Sequence, residues 1–264
     1  MAIASIDDYL ASAKQRAQHT KTAARTTVAA GWFTLFDLAG APGAGTLAAG
    51  NTANGLVHTD LTAGYQVLNA FGGGATGYLS RVEFSASVSM RIAVFDRLFV
   101  CGAYAFNANT ALASQPSYSG RLPGTDYKGL EIWAETVTAA TGNQTWNVTY
   151  TNESGTGSRT TGAVGIGAAP TLGRCWQLPL QAGDTGVQRI DNVAGGTGTA
   201  GTANIMVLRR LWTGRVPVAS GGDVHDLLRT GLPQVYADSA LYILVAPDST
   251  SSGIPDLSLE IANL

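Results

Sequence analysis

Chemistry has few places to start in this sequence of 264 residues, which holds three histidines, two cysteines and 18 acids. His225 lies between Asp223 and Asp226 with Ser220 close by, the residue types of a hydrolase nucleophile, base and orienting acid. Neighbours two or three apart in one turn do not converge on a single substrate atom, and no G-x-S-x-G elbow occurs. His225 therefore reads as a solvent-facing or turn-stabilising side chain. Glu131 and Glu135 suggest the paired carboxylates of glycoside cleavage. Four positions apart on one strand they are ~13 Å from each other, beyond the ~5–9.5 Å that this chemistry uses unless a neighbouring strand supplies one acid. The expectation is that both stand in water on a polar outer face. Trp133, Trp146, Trp176 and Trp212 could pave a sugar platform, but in an all-β chain such rings more often fill the core.

Metal and cofactor sites find no support. Cys101 (LFVCGAY) and Cys175 (GRCWQL) sit in apolar surroundings 74 positions apart, no histidine pair has ligand spacing, and both cysteines read as free buried thiols. Gly72 to Gly77 and Gly196 to Gly201 each match G-x-G-x-x-G by letter. A dinucleotide fingerprint opens a helix on the pyrophosphate, whereas strand-like YLSRVEFSA and ANIMVLRRL follow these. No Gly-Lys pair exists to make a P-loop. Asn143, Asn147 and Asn152 begin glycosylation-like triplets, but no secretory leader is expected and they read as composition.

Net charge is −2, which draws no nucleic acid, and charged residues are only 13% of the chain against a usual ~25%. No apolar run reaches the ~18–20 residues of a membrane span. Few charges give copies little mutual repulsion, which suits a chain packed against other protein surfaces. The 16 basic residues divide into 13 Arg and 3 Lys. Protein interfaces favour Arg and disfavour Lys.

The elements that must position these groups are mostly strands. From Arg81 to Phe95 the apolar residues Val82, Phe84, Ala86, Val88, Met90, Ile92 and Val94 alternate with Glu83, Ser85, Ser87, Ser89 and Arg91, a period of two that places one dry face on a single long strand. Such a strand needs long partners and a second apolar layer. Asp96-Arg97 is the expected turn into a strand over 98–106. Further strands are expected over 31–38, 130–138, 146–152, 159–167, 175–181, 186–193, 203–211, 240–246 and 256–263, with 130–138 and 146–152 joined as a hairpin around Thr141-Gly-Asn-Gln. Residues 40–77 and 107–128 are long excursions or contact loops. Asp223 could cap a short helical turn within 222–230.

Residues 1–28 differ from the rest. Ser5 and the acids Asp7 and Asp8 start a helix, in which Ile6, Tyr9, Leu10, Ala13 and Ala17 follow helical spacing, while Lys14, Arg16, His19, Lys21 and Arg25 place cations toward and beyond its end. Thr20 to Thr27 reads as an extended connector. The expected organisation is an N-terminal helix and arm, 1–28, ahead of an all-β, jelly-roll-like β-sandwich, 29–264. Ile6, Tyr9, Leu10, Lys14, Arg16, Lys21 and Arg25 are the candidate interface residues.

Ala30-Gly-Trp-Phe-Thr-Leu-Phe-Asp-Leu-Ala-Gly40, Leu180-Gln-Ala-Gly-Asp-Thr-Gly-Val-Gln-Arg-Ile190 and Gly231-Leu-Pro-Gln-Val-Tyr-Ala-Asp-Ser239 resemble segments of virion structural proteins of tailed bacteriophages. The resemblance implies a non-enzymatic, capsid-associated protein without cofactor or metal. The implied role is a head decoration or cement protein, a homo-oligomer bound to the major capsid protein in a virion assembled in the host cytoplasm. The alternatives are a tail or neck structural protein and a carbohydrate-binding or carbohydrate-cleaving tail protein.

Overall fold

A computed structural model describes residues 3, 5–48, 50–71, 77–124, 126–165, 170–196 and 200–263. Of the two glycine-rich matches, residues 72–76 and 197–199 lie outside these residues. The fold is all-β, and the sandwich is built on both sides of a closed barrel. The barrel consists of β2 (Trp32–Thr34), β5 (Met90–Ala105), β7 (Leu130–Thr138), β11 (Arg174–Leu178), β13 (Thr202–Val216) and β16 (Leu241–Pro247), in the cyclic order β11-β2-β16-β5-β13-β7. A six-stranded sheet covers one side. It holds β1 (Ala13–Lys21), β3 (Gly40–Ala41), β4 (Gly77–Ala86), β14 (Gly221–His225) and β17 (Pro255–Asn263) in the order β14-β4-β17-β1-β3, with β15 (Gln234–Val235) also on β4. A five-stranded sheet covers another side, with β6 (Asn109–Ala111), β8 (Thr145–Asn152), β10 (Val164–Gly165) and β12 (Val187–Gly195) in the order β10-β8-β12-β6, and β9 (Arg159–Thr160) on β8.

Three cores follow from these layers. Ile92, Val94, Leu211, Trp212, Ile243 and Val245 face outward from the barrel and meet Val82, Phe84, Leu257, Leu259 and Ile261 of the six-stranded sheet. Farther along the same barrel strands, Phe99, Cys101, Ile132, Trp176, Ile205 and Val207 meet Trp146, Val148, Tyr150, Ile190 and Val193 of the five-stranded sheet. Phe95, Trp133, Cys175, Met206, Leu208, Tyr242 and Leu244 fill the barrel itself. Leu47 and Tyr65, from the excursion 40–77, join this inner core and plug one end. β5 is thus buried on both faces from Ile92 to Gly102, which explains why its sequence is apolar on both faces there apart from Asp96 and Arg97.

The alternation over 81–95 marks one core face, but the chain there is not one strand. β4 ends at Ala86 and β5 begins at Met90, with a bend at 87–89. Val82, Phe84 and Ala86 approach the shared core from the sheet, and Met90, Ile92 and Val94 approach it from the barrel wall, with Val88 packed alongside. Periodicity reports which face is dry and is blind to a bend that keeps the same core on the same face. The expected turn at Asp96-Arg97 is likewise corrected, since both residues lie within the continuous strand β5. β7 and β8 do not form the expected hairpin. β7 pairs with β11 and β13 in the barrel, whereas β8 pairs with β9, β10 and β12, so the chain changes layers between them.

The N-terminal helix is short. α1 (Ile6–Ala11) is capped by Ser5, whose Oγ accepts from the Asp8 N–H at 3.1 Å, and it stops at Ser12. Ala13 and Ala17 belong instead to β1, which pairs with β17 over eight positions and buries Ala17, His19 and Lys21 in alternation. A partner strand with free hydrogen-bonding groups outweighs the helical spacing of two alanines. Near the other end, the span 222–230 splits into β14 and α2 (Leu227–Thr230), which Asp226 caps, and not Asp223.

Candidate functional surfaces and a buried ionic cluster

Five charged side chains converge where sequence alone placed a turn and a wet face. On β5, Arg97 points into the barrel and Asp96 points out, and both are completely buried. Inside, Arg97 donates to Glu135 Oε2 at 3.1 Å, Asn204 Nδ2 donates to the same oxygen at 2.8 Å, and the Tyr242 hydroxyl donates to Glu135 Oε1. The Arg97 guanidinium also lies 5.0 Å from the Tyr242 ring centroid and 5.6 Å from that of Phe36. Burial works against its charge, but Tyr65, Glu135 and Tyr242 together outweigh that and raise its pKa. Outside, Asp96 accepts from Arg209 at 3.2 Å, from the Ser239 hydroxyl at 2.9 Å and from the Ala240 N–H at 3.1 Å. Arg121, carried by the excursion 107–128, stands 3.6 Å from Asp96 and donates to the carbonyls of His58, Asp238 and Arg97 at 2.6, 2.7 and 2.8 Å.

Position explains this set. On β5, Val94 belongs to the core under the six-stranded sheet and Leu98 to the core under the five-stranded sheet, with Asp96 between them. On β13, Arg209 stands in the same way between Val207 and Leu211. The Asp96–Arg209 pair occupies the seam where the two covering sheets part, and there Asp96, Arg209 and Arg121 engage the backbone groups of Ala240, Gln234, His58, Asp238 and Arg97.

This arrangement ties β5 to β7, β13 and β16 through paired charges. Glu135 is buried, not solvated as expected, and both its oxygens are engaged. Glu131 lies at the barrel mouth, where Arg210 donates to its two oxygens at 2.9 Å each and Trp133 Nε1 donates at 2.7 Å. Each acid of the supposed glycosidase pair is therefore neutralised by its own arginine. The four tryptophans of the supposed platform are all buried. His225 accepts at Nδ1 from Trp212 Nε1 at 2.9 Å, which occupies the nitrogen a base would use, and burial lowers its pKa, with Arg229 adding to the effect. Cys101 and Cys175 are free and buried, and burial pushes the Cys101 thiol up to about 12. Among the described residues, no group of three or more His, Cys, Asp or Glu could hold a metal ion, and no helix is long and apolar enough to cross a membrane.

The surfaces are more informative. The outer face of the six-stranded sheet runs across four strands in rows set by register: Gly222, Ser85, Asp256 and Thr20 in one, Val224, Glu83, Ser258 and Gln18 in the next, then Arg81, Glu260 and Arg16. Side chains here are short or paired with each other, as in Arg81–Glu83 at 2.8 Å and Gln18 to Asp256 at 2.6 Å. The result is a broad, flat, polar surface with a shallow hollow of about 450 Å³ over Glu83, Ser85, Gly222 and Asp256.

At one margin of this face stands α1. Tyr9 donates to Glu260 Oε1 at 2.9 Å, Arg16 lies 3.7 Å from the other oxygen, and Lys14 reaches the Tyr9 carbonyl at 2.7 Å while covering its ring. Ile6 and Leu10 remain 58% and 68% exposed. The seven candidate interface residues thus divide. Ile6, Tyr9, Leu10, Lys14 and Arg16 gather at this margin. Lys21 is buried and donates to the Pro42 carbonyl at 2.8 Å, and Arg25 is buried between Asp37 and the Leu172 carbonyl. Burial alternates along β1, so that Lys21 is covered while Lys14 and Arg16 are exposed, and only the pairing of β1 with β17 separates them.

No protein-family model and no curated protein matches the chain. Among solved structures, the chain is similar to infectious bursal disease virus of the Gt strain (10% identity, 96% of this chain and 80% of that chain covered, TM-score 0.19) and of the Gx strain (11%, 96% and 80%, TM-score 0.21). The VP2 subviral particle of the same virus is comparable (11%, 96% and 80%, TM-score 0.20).

Proposed function

We propose that this protein is a non-enzymatic structural component of a bacteriophage virion that binds the assembled head as a decoration or cement protein. The observation that carries this reading is α1. It buries none of its own residues and holds Ile6 and Leu10 in water, while Tyr9 and Lys14 fasten it beside a flat polar sheet face. Apolar side chains held this way are complementary to a surface supplied by another chain, and the adjoining face adds area without mobile charge. The sequence resemblance to virion structural proteins supports the same reading. A protein that binds only the assembled lattice stabilises it by mass action.

The test mixes the purified full chain with heads stripped of accessory proteins. Saturable co-sedimentation, and a higher temperature of head disruption, are the expected results. Substituting Ile6→Asp together with Leu10→Asp should abolish both while the β-domain still melts cooperatively. Binding to purified tails and not to heads would move the same surfaces to a tail or neck, and binding to neither would overturn the proposal.

A further inference from the structure

A second surface, on the five-stranded sheet, has a different character. Between the excursion 107–128, the loop after β8 and strand β12 lies an open hollow of about 330 Å³, walled by Tyr127 and Tyr118 and bordered by Thr151, Gly157, Gln188 and Arg189. Tyr127 adopts φ 45°, a left-handed backbone that is a genuine outlier for a bulky side chain. Its neighbours enforce this. Lys128 bridges to Gly186, Gly129 N–H donates to the Thr185 carbonyl at 2.8 Å, and a Cβ on Gly186 would sit 2.0 Å from the Tyr127 carbonyl oxygen. Strain fixed from several sides collects where a side chain is held for use. What it holds is a phenol ring packed edge-on against Tyr118, with ring centroids 5.9 Å apart.

The polar groups around the ring are of a matching kind. Arg189 Nε donates to Asp191 Oδ1 at 2.6 Å and its Nη2 donates to Thr151 Oγ1 at 3.2 Å, while the Thr151 hydroxyl donates to Asp191 Oδ2 at 2.9 Å. The Arg189 side chain is nonetheless 58% exposed, so a planar donor whose charge is balanced by Asp191 stands at the rim. Gln188 is exposed and adds an amide with one donor and one acceptor end. Gly157 leaves its part of the floor without a side chain. An aromatic face beside alternating donors and acceptors complements a pyranose ring, whose C–H face is apolar and whose adjacent hydroxyls each donate and accept. The local charges cancel, which favours a neutral ligand over an anion, and the volume is at the small end of ligand sites, which suits one ring.

We propose that this hollow binds a single neutral pyranose unit of a glycan, with the Tyr127 ring as its stacking platform and Arg189 and Gln188 as its hydroxyl partners. The site is separate from α1, and its test does not involve heads. Saturation-transfer NMR on the full chain, with glucose, galactose, mannose, rhamnose and N-acetylglucosamine as probes, should show transfer from protein to the ring C–H protons of at least one sugar. Tyr127→Asn removes the ring and keeps a residue that tolerates the left-handed backbone, so it should stay folded and bind at least ten-fold more weakly. Gln188→Ala should also weaken binding, and Tyr127→Trp should retain it. The proposal is overturned if none of the five sugars receives saturation, or if transfer is unchanged in both Tyr127→Asn and Gln188→Ala.

Discussion

Asp96 and Arg97 are consecutive in sequence, fully buried, and stand on opposite sides of one barrel wall, so that the first ties the outer seam and the second ties the interior. Strand geometry sends neighbouring side chains to opposite faces. One dipeptide therefore locks β5 to β13 and to the residues just before β16 on the outside, and to β7, β13 and β16 on the inside.

Breaking the inner pair should be costly. Glu135→Ala leaves Arg97 charged in a sealed barrel and is expected to destabilise the fold by about 3–5 kcal/mol, as for other buried pairs that lose one partner. The double variant Arg97→Met/Glu135→Leu should cost less than Glu135→Ala alone, because no uncompensated charge remains. Urea unfolding of the single and double variants measures both; a double variant less stable than Glu135→Ala would contradict this account.

Acid should destabilise the protein through His19. Burial, reinforced by the charge of Lys21, lowers its pKa from 6.5 to about 3. Below pH 6.5 the unfolded chain takes up a proton that the folded chain refuses, so this contribution is complete above pH 6.5 and is lost as pH falls toward 3. The whole effect is about 5 kcal/mol at ~1.4 kcal/mol per pH unit, with about half gone near pH ~5. His19→Leu should flatten the urea midpoint across this range, and a variant with the parent's slope would exclude His19 as the source.

Both thiols should be silent in the native state. With Cys101 and Cys175 buried and their pKa values raised by that burial, Ellman's reagent is expected to find no thiol at pH 8 and two after guanidinium unfolding. Rapid native labelling of either would show that its covering layer opens.

Truncations should separate the two parts of the N-terminal segment. Removing residues 1–11 deletes α1 and should leave the thermal melt almost unchanged while head binding is lost. Extending the deletion through Lys21 removes β1, bares the β17 edge and uncovers the core face that Ala17 seals. Aggregation in size-exclusion chromatography is expected for this longer deletion only.

The sequence by itself determined the all-β class, the dry face shared by Val82 to Val94, the span of β7 and the burial of the cysteines and of the four tryptophans, because these follow from local alternation and side-chain type. It also located the start of α1, since a cap and its first-turn acids are neighbours in the chain. Only the tertiary structure decided that β4 and β5 bend around one core, that β7 and β8 part into different layers, and that Ala13 to Lys21 is a strand. Local pattern cannot say which partner edge waits for a segment. For the same reason Asp96, Arg97 and Glu135 read as surface residues. A charge is affordable inside only when distant parts of the chain bring its counter-charge, and Arg209, Arg121, Asn204 and Tyr242 meet these acids solely because the barrel closes.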